Sequence, residues 1–111
     1  MRKIPTKLRQ EIALDPFYKK CCLAKFGECE GRIEYHHAFI FAGRQVNEKF
    51  AIFPLCHQHH ELVYKKDFRN RLMWMMINRM TESDMKKYYR PDWNTKRNWL
   101  NRIYGKPRRK N

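Results

Sequence analysis

All five histidines of this 111-residue chain lie between positions 36 and 60, and all four cysteines lie between positions 21 and 56. Chance rarely collects both residue types in one stretch, and imidazole and thiolate side chains at such short separations suit Zn²⁺ or another borderline transition metal. Cys56-x-x-His59 has the spacing of half a structural zinc site. Cys22 and Cys29 are candidates for the other half, although the gap between them is longer than the usual two to four residues, and Cys21 can replace Cys22. A chain this short buries little core, so one structural Zn²⁺ would add to its folding energy.

The cysteine count also permits two disulfides, but adjacent Cys21 and Cys22 make an awkward framework. Met1-Arg2-Lys3-Ile4-Pro5-Thr6-Lys7 has a basic start without the apolar segment of a secretory signal. Charged residues interrupt every hydrophobic run before it reaches bilayer length. The expectation is a cytoplasmic protein with no membrane partner and reduced thiols.

Lys and Arg number 25 against 11 Asp and Glu, a formal charge of +14. The excess is uneven: residues 61–111 hold fifteen basic and five acidic side chains, residues 1–60 ten and six. Unpaired like charges destabilise a free fold, so the balance points to a polyanionic partner. Phosphate binding is the economical account of Arg69, Arg71, Lys86, Lys87, Lys96 and Arg97, and Arg44, in a loop, could touch a neighbouring phosphate. The aromatics Trp74, Tyr88, Tyr89, Trp93 and Trp99 read as core and rim packing rather than base-stacking platforms.

The chain reads as a single α+β domain. A basic arm covers residues 1–20, with Leu8, Ile12 and Phe17 as apolar anchors and a break at Asp15-Pro16. A glycine-bearing cysteine knuckle follows over 21–32. Ile33 to Phe41 predicts one strand, 43–49 a polar loop, and Phe50 to Phe53 a second strand ended by Pro54. A helix runs on from Cys56 through HQHHELVYKK, closing a core at about residue 66. A basic helical extension then occupies 67–105. Its helices cover roughly 67–80, a short piece after the Thr81–Asp84 capping box, and 94–104 with Gly105 as C-cap. The tail 106–111 is expected to be disordered without a polyanion.

His36 and His37 stand next to each other on the predicted strand and therefore leave it on opposite faces. One can bind a metal while the other handles a proton.

The segments EYHHAFI (34–40) and FPLCHQHH (53–60) resemble the HNH, or ββα-metal, family of nucleases, most of all small HNH proteins encoded by phages and prophages. The similarity covers roughly Cys29 to Tyr64, about a third of the chain. It implies a ββα-metal core and a metal-dependent DNA endonuclease that leaves 5′-phosphate and 3′-hydroxyl ends. By the same resemblance His37 matches the general base, and His36 and His60 match the ligands of one catalytic divalent ion (Mg²⁺, Mn²⁺ or Ni²⁺, with Zn²⁺ as a further candidate). Cys56 and His59 match half of a structural zinc knuckle, completed by Cys22 and Cys29. DNA, double-stranded, is the implied partner, with phage recombination, replication or packaging proteins beside it. Two positions depart from the family pattern. Ala51 stands where a middle Asn is expected, with Asn47 the nearest replacement, and Tyr64 stands where some members carry a third metal-binding His. These departures motivate the competing reading of a zinc-stabilised nucleic-acid-binding module without catalysis, or an accessory component of a phage DNA-processing machine.

Overall fold

The computed structural model describes residues 4–105, so the tail expected to be disordered lies outside the described residues. Among the described residues, five α-helices, short 3₁₀ turns and two small antiparallel sheets make up an α+β fold. Helix α1 (Thr6–Leu14) buries Ile12 against Tyr18 and Ile52. It stops at Asp15, whose carboxylate accepts the Phe17 N–H at 3.0 Å and so caps a 3₁₀ turn over Pro16–Lys19.

Strand β1 (Ile33–His37) pairs antiparallel with a strand at Ile52–Cys56 in unbroken register, from Ile33 opposite Cys56 to His37 opposite Ile52. Between them the chain forms β2 (Ile40–Phe41) and β3 (Arg44–Gln45), joined by Ala42 and Gly43 at φ 52° and 77°. Two left-handed central residues are what a tight two-residue hairpin demands, because they match the twist of the flanking strands. The single strand expected over 33–41 is thus two strands, and part of the expected polar loop is the returning arm of this hairpin.

The strand at Ile52–Cys56, β4, also departs from expectation, since it runs through Pro54 instead of ending there. The Pro54 carbonyl accepts the Cys22 N–H at 2.9 Å, on the side away from β1. The missing proline N–H points the same way, so no ladder bond to β1 is lost. All five residues of β4 are buried, which makes this strand the spine of the molecule.

Helix α2 is shorter than the sequence predicts, five residues over His57–Glu61. It closes on i−3 bonds, Leu62 N–H to His59 O and Lys65 N–H to Leu62 O, both 3.0 Å. Such tightened turns end an α-helix. They let α3 (Lys66–Arg79) fold back so that Phe68 meets the His59 ring edge-on at 5.6 Å. Helix α4 (Glu82–Lys87) begins at the expected capping box, Thr81 and Asp84 each accepting the other's backbone N–H. Helix α5 (Trp93–Tyr104) packs on α3, with Leu72, Met76, Ile77, Trp93 and Leu100 in the shared core. Trp74 and Asn78 both donate to Asn101 Oδ1 at 2.9 Å and pin the two helices together.

Candidate functional site

The β1–β4 pair delivers its side chains to two separate places, and α2, which follows β4 directly, supplies the rest. At the end of β4, Cys56 is the N-cap of α2 and accepts the His59 N–H on its sulfur at 3.4 Å. That cap turns the His59 side chain inward to near-complete burial. The knuckle folds over it: Arg32 O accepts the His57 N–H at 3.1 Å and Glu30 O accepts the Gln58 N–H at 3.2 Å. Gly31, at φ +84°, is required for this close approach, because a Cβ there would lie 2.7 Å from His57 Cβ.

Cys21, Cys29, Cys56 and His59 converge with their ligand atoms all within 4.8 Å of one another. His59 Nδ1 lies 3.2 Å from Cys56 Sγ, 3.4 Å from Cys21 Sγ and 3.7 Å from Cys29 Sγ. Metal–sulfur bonds of about 2.3 Å and metal–nitrogen bonds of about 2.0 Å place tetrahedral Zn²⁺ ligands roughly 3.5–3.8 Å apart. The four groups therefore fit a metal ion such as zinc, with Nδ1 as the histidine ligand. Burial alone would raise Cys56, but the His59 and Glu30 backbone groups and the thiols of Cys29 and Cys21 hold it below the usual thiol range. Burial and the Cys56 thiol push Cys29 up to about 12.

The fourth member of the group is Cys21, where the sequence favoured Cys22 and kept Cys21 as its substitute. The neighbours diverge because the Cys22 N–H is bound to Pro54 O, which fixes the local backbone. The Cys22 side chain is then packed against the hydrophobic core, where burial raises its thiol to about 12.

A second constellation sits on β1. With no bulge in the strand, His36 and Glu34 share one face and His37 the other. His36 meets His60 of α2 edge-on, ring centroids 5.2 Å apart. Burial, then the neighbouring His60 and His37, push the His36 pKa down to about 4, so its ring is neutral and carries a free lone pair at pH 7. Glu34 reaches under the same helix, with Oε1 2.7 Å from His60 Nδ1 and Oε2 3.1 Å from His57 Nδ1. Those two hydrogen bonds hold its carboxyl below the usual range. The other His57 nitrogen is 2.6 Å from Glu61, and Glu34 followed by Glu61 raises the His57 pKa.

On the opposite face, His37 Nε2 lies 2.8 Å from Asn47 Oδ1. Two backbone bonds bring these residues together, Val46 N–H to Phe39 O at 3.0 Å and Ala38 N–H to Ala51 O at 2.8 Å. Ala51 is fully buried and its side chain has no polar atom, so the polar partner comes from position 47. Tyr64 is 70% exposed and lies beyond the end of α2.

The basic residues divide into engaged and open groups. The Arg71 guanidinium lies over the Phe26 and Tyr104 rings, 4.0 and 4.8 Å from their centroids, and bonds Asp67 at 3.2 Å, so it staples the knuckle to α3 and α5. Lys87 pairs with Glu48 at 3.2 Å, Lys96 with Asp92 at 3.5 Å, and Arg97 donates to Asn94 at 2.7 Å. Arg44, Arg69 and Lys86 are exposed and have no ion-pair partner among the described residues. Asn47 borders two clefts: one of about 410 Å³ with Arg44, Lys87 and Tyr88, and one of about 680 Å³ with Lys7, Lys49 and Arg79.

Glu34 is a member of this constellation to which the sequence analysis gives no role. The available signal was strand period: Glu34 lies two residues before His36 and so faces the same helix. No protein-family model, curated protein or solved structure matches the chain. No helix among the described residues is long and apolar enough to cross a membrane.

Proposed function

We propose that the chain is an HNH-type, metal-dependent DNA endonuclease built on a ββα-metal core of β1, β4 and α2. The observation that carries this reading is the division of two adjacent imidazoles: His36 beside His60, and His37 bonded to Asn47. Phosphodiester hydrolysis needs both a base for water and positive charge at the phosphoryl group.

His37 is the general base. With Nε2–H donated to Asn47 Oδ1, Nδ1 keeps the lone pair and receives the proton of the attacking water. Asn47 holds the ring in that tautomer and continues to accept from it once the imidazolium forms. The water oxygen attacks phosphorus, the bond from phosphorus to the 3′ oxygen breaks, and the departing oxygen takes a proton from solvent. His36 and His60 would hold one divalent ion, Mg²⁺, Mn²⁺ or Ni²⁺, with water and substrate phosphate completing its coordination. Such an ion would supply positive charge to the phosphoryl oxygens and the leaving 3′ oxygen. Arg44, in the cleft beside Asn47, would receive a flanking phosphate of a duplex.

The Cys21, Cys29, Cys56 and His59 group holds a structural Zn²⁺ in this reading, fixing the N-terminus of α2 and with it His60. The resemblance to small phage proteins makes phage recombination, replication or packaging proteins natural partners and the host cytoplasm the site of action. A binding module without catalysis is favoured by one observation, that among the described residues neither His36 nor His60 belongs to a group of three or more converging metal-ligating side chains.

The test is conversion of supercoiled plasmid with Mg²⁺, Mn²⁺ or Ni²⁺, with EDTA as control. The endonuclease reading expects metal-dependent nicking that EDTA abolishes. Tight DNA binding without cutting under every metal supports the module instead.

A further inference from the structure

We infer that Glu34 is a positioning residue that holds His60 with Nδ1 protonated and Nε2 turned out as the ligating atom. The inference rests on the reading of His60 as a metal ligand and adds a residue to that site which the family resemblance does not supply. Its basis is the way both carboxylate oxygens are used. Oε1 is 2.7 Å from His60 Nδ1, a charge-assisted hydrogen-bond distance, and Oε2 is 3.1 Å from His57 Nδ1. His57 is held on its far side by Glu61 at 2.6 Å, so Glu34 is braced between two imidazoles of one helix.

This bracing decides between two roles for a carboxylate beside a metal site. Each Glu34 oxygen faces an imidazole nitrogen, and these contacts are those of an acceptor that orients two rings. An imidazole whose Nδ1–H is given to a carboxylate keeps its lone pair on Nε2 and becomes more basic there. The same contact fixes the ring plane. Glu34 sits on β1 two residues from His36 and on the same face, so the strand that carries one ligand also aims the other.

Nitrogen-15 histidine spectra of the full zinc-loaded chain, without DNA or added divalent ion, read the tautomer directly. The parent protein is expected to show His60 as the Nδ1–H form, and Glu34→Ala to lose that preference. Calorimetric titration with Mn²⁺ should give affinity weakened 10–100-fold by Glu34→Ala. Glu34→Gln keeps an acceptor oxygen and should restore part of the affinity. Zinc content and melting temperature separate this effect from a folding defect, since Gln should match the parent in both. A His60 found as the Nε2–H tautomer in the parent overturns the inference. So does Glu34→Gln weakening Mn²⁺ as severely as Glu34→Ala, which would make Glu34 a direct ligand. Because the tautomer is read without substrate, a chain that shows it but never cuts DNA refutes the endonuclease reading and leaves the positioning role standing.

Discussion

His37 Nε2 and Asn47 Oδ1 stand 2.8 Å apart although a whole hairpin separates them in sequence. The hairpin supplies the polar partner that buried Ala51 cannot. Asn47→Ala should therefore lower the rate of the chemical step by roughly 10²-fold, as expected when a catalytic group loses its orientation. DNA affinity should stay near that of the parent. Single-turnover cleavage alongside equilibrium binding separates the two quantities, and an unchanged rate would show that Asn47 has no part in the site.

Cys21 and Cys22 should behave differently despite being neighbours. Cys21→Ser removes a member of the four-residue cluster and is expected to lose the metal and much of the fold's stability. Cys22→Ser lies outside the cluster, and the purified protein should retain about one zinc per chain. Elemental analysis of both variants decides the matter. Zinc lost from Cys22→Ser and kept by Cys21→Ser would reverse the assignment.

These two sites also show how far the sequence reaches. Cys56-x-x-His59 and the His36-His37 pair are legible because short spacing within one element fixes which side chains can meet. The choice between Cys21 and Cys22 is not, because it is made by a backbone bond to Pro54, distant in the chain. Pro54 misled in the same way: its ring forbids a ladder bond on one side only, and pairing decided which side faced β1. The α2 boundary depended on where Phe68 packs, and the partnership of Glu34 with His60 on the strand–helix arrangement. Each miss is a tertiary contact deciding a local choice.

Engaged and open basic residues should separate in salt titrations. Arg44→Ala, Arg69→Ala and Lys86→Ala should each weaken DNA binding and reduce the slope of log affinity against log salt by about 0.9 for every phosphate no longer neutralised. Arg71→Ala should instead lower the melting temperature, since its guanidinium lies between Phe26 and Tyr104. Binding isotherms across a salt series and thermal melts make the comparison. An affinity that barely responds to salt would contradict the electrostatic account.

Asp15 gives the fold an acid-sensitive latch. Its Oδ2 is 2.8 Å from Lys49 Nζ, and Lys49, then the Phe17 N–H, hold the carboxyl below its usual range. A carboxylate with a lowered folded-state pKa contributes fully above its unfolded value of about 3.9, and that contribution is lost as pH falls through the folded value. The pair is partly exposed, so Asp15→Asn should cost only about 0.5 kcal/mol at pH 7 and less at pH 2. Denaturant melts at the two pH values check the sign; a larger loss in acid would contradict it.

The central claim is that His36 and His60 hold a catalytic metal while His37 moves the proton, and Mn²⁺ titration paired with plasmid cleavage tests it on one set of variants. His37→Ala should bind Mn²⁺ like the parent yet cut roughly 10²–10⁴-fold more slowly at any metal concentration. His36→Ala and His60→Ala should bind Mn²⁺ weakly and recover part of their cleavage as its concentration is raised. Loss of Mn²⁺ from His37→Ala with retention by His36→Ala would reverse the roles, and cleavage at the parent rate by all three variants would place the chemistry elsewhere in the chain.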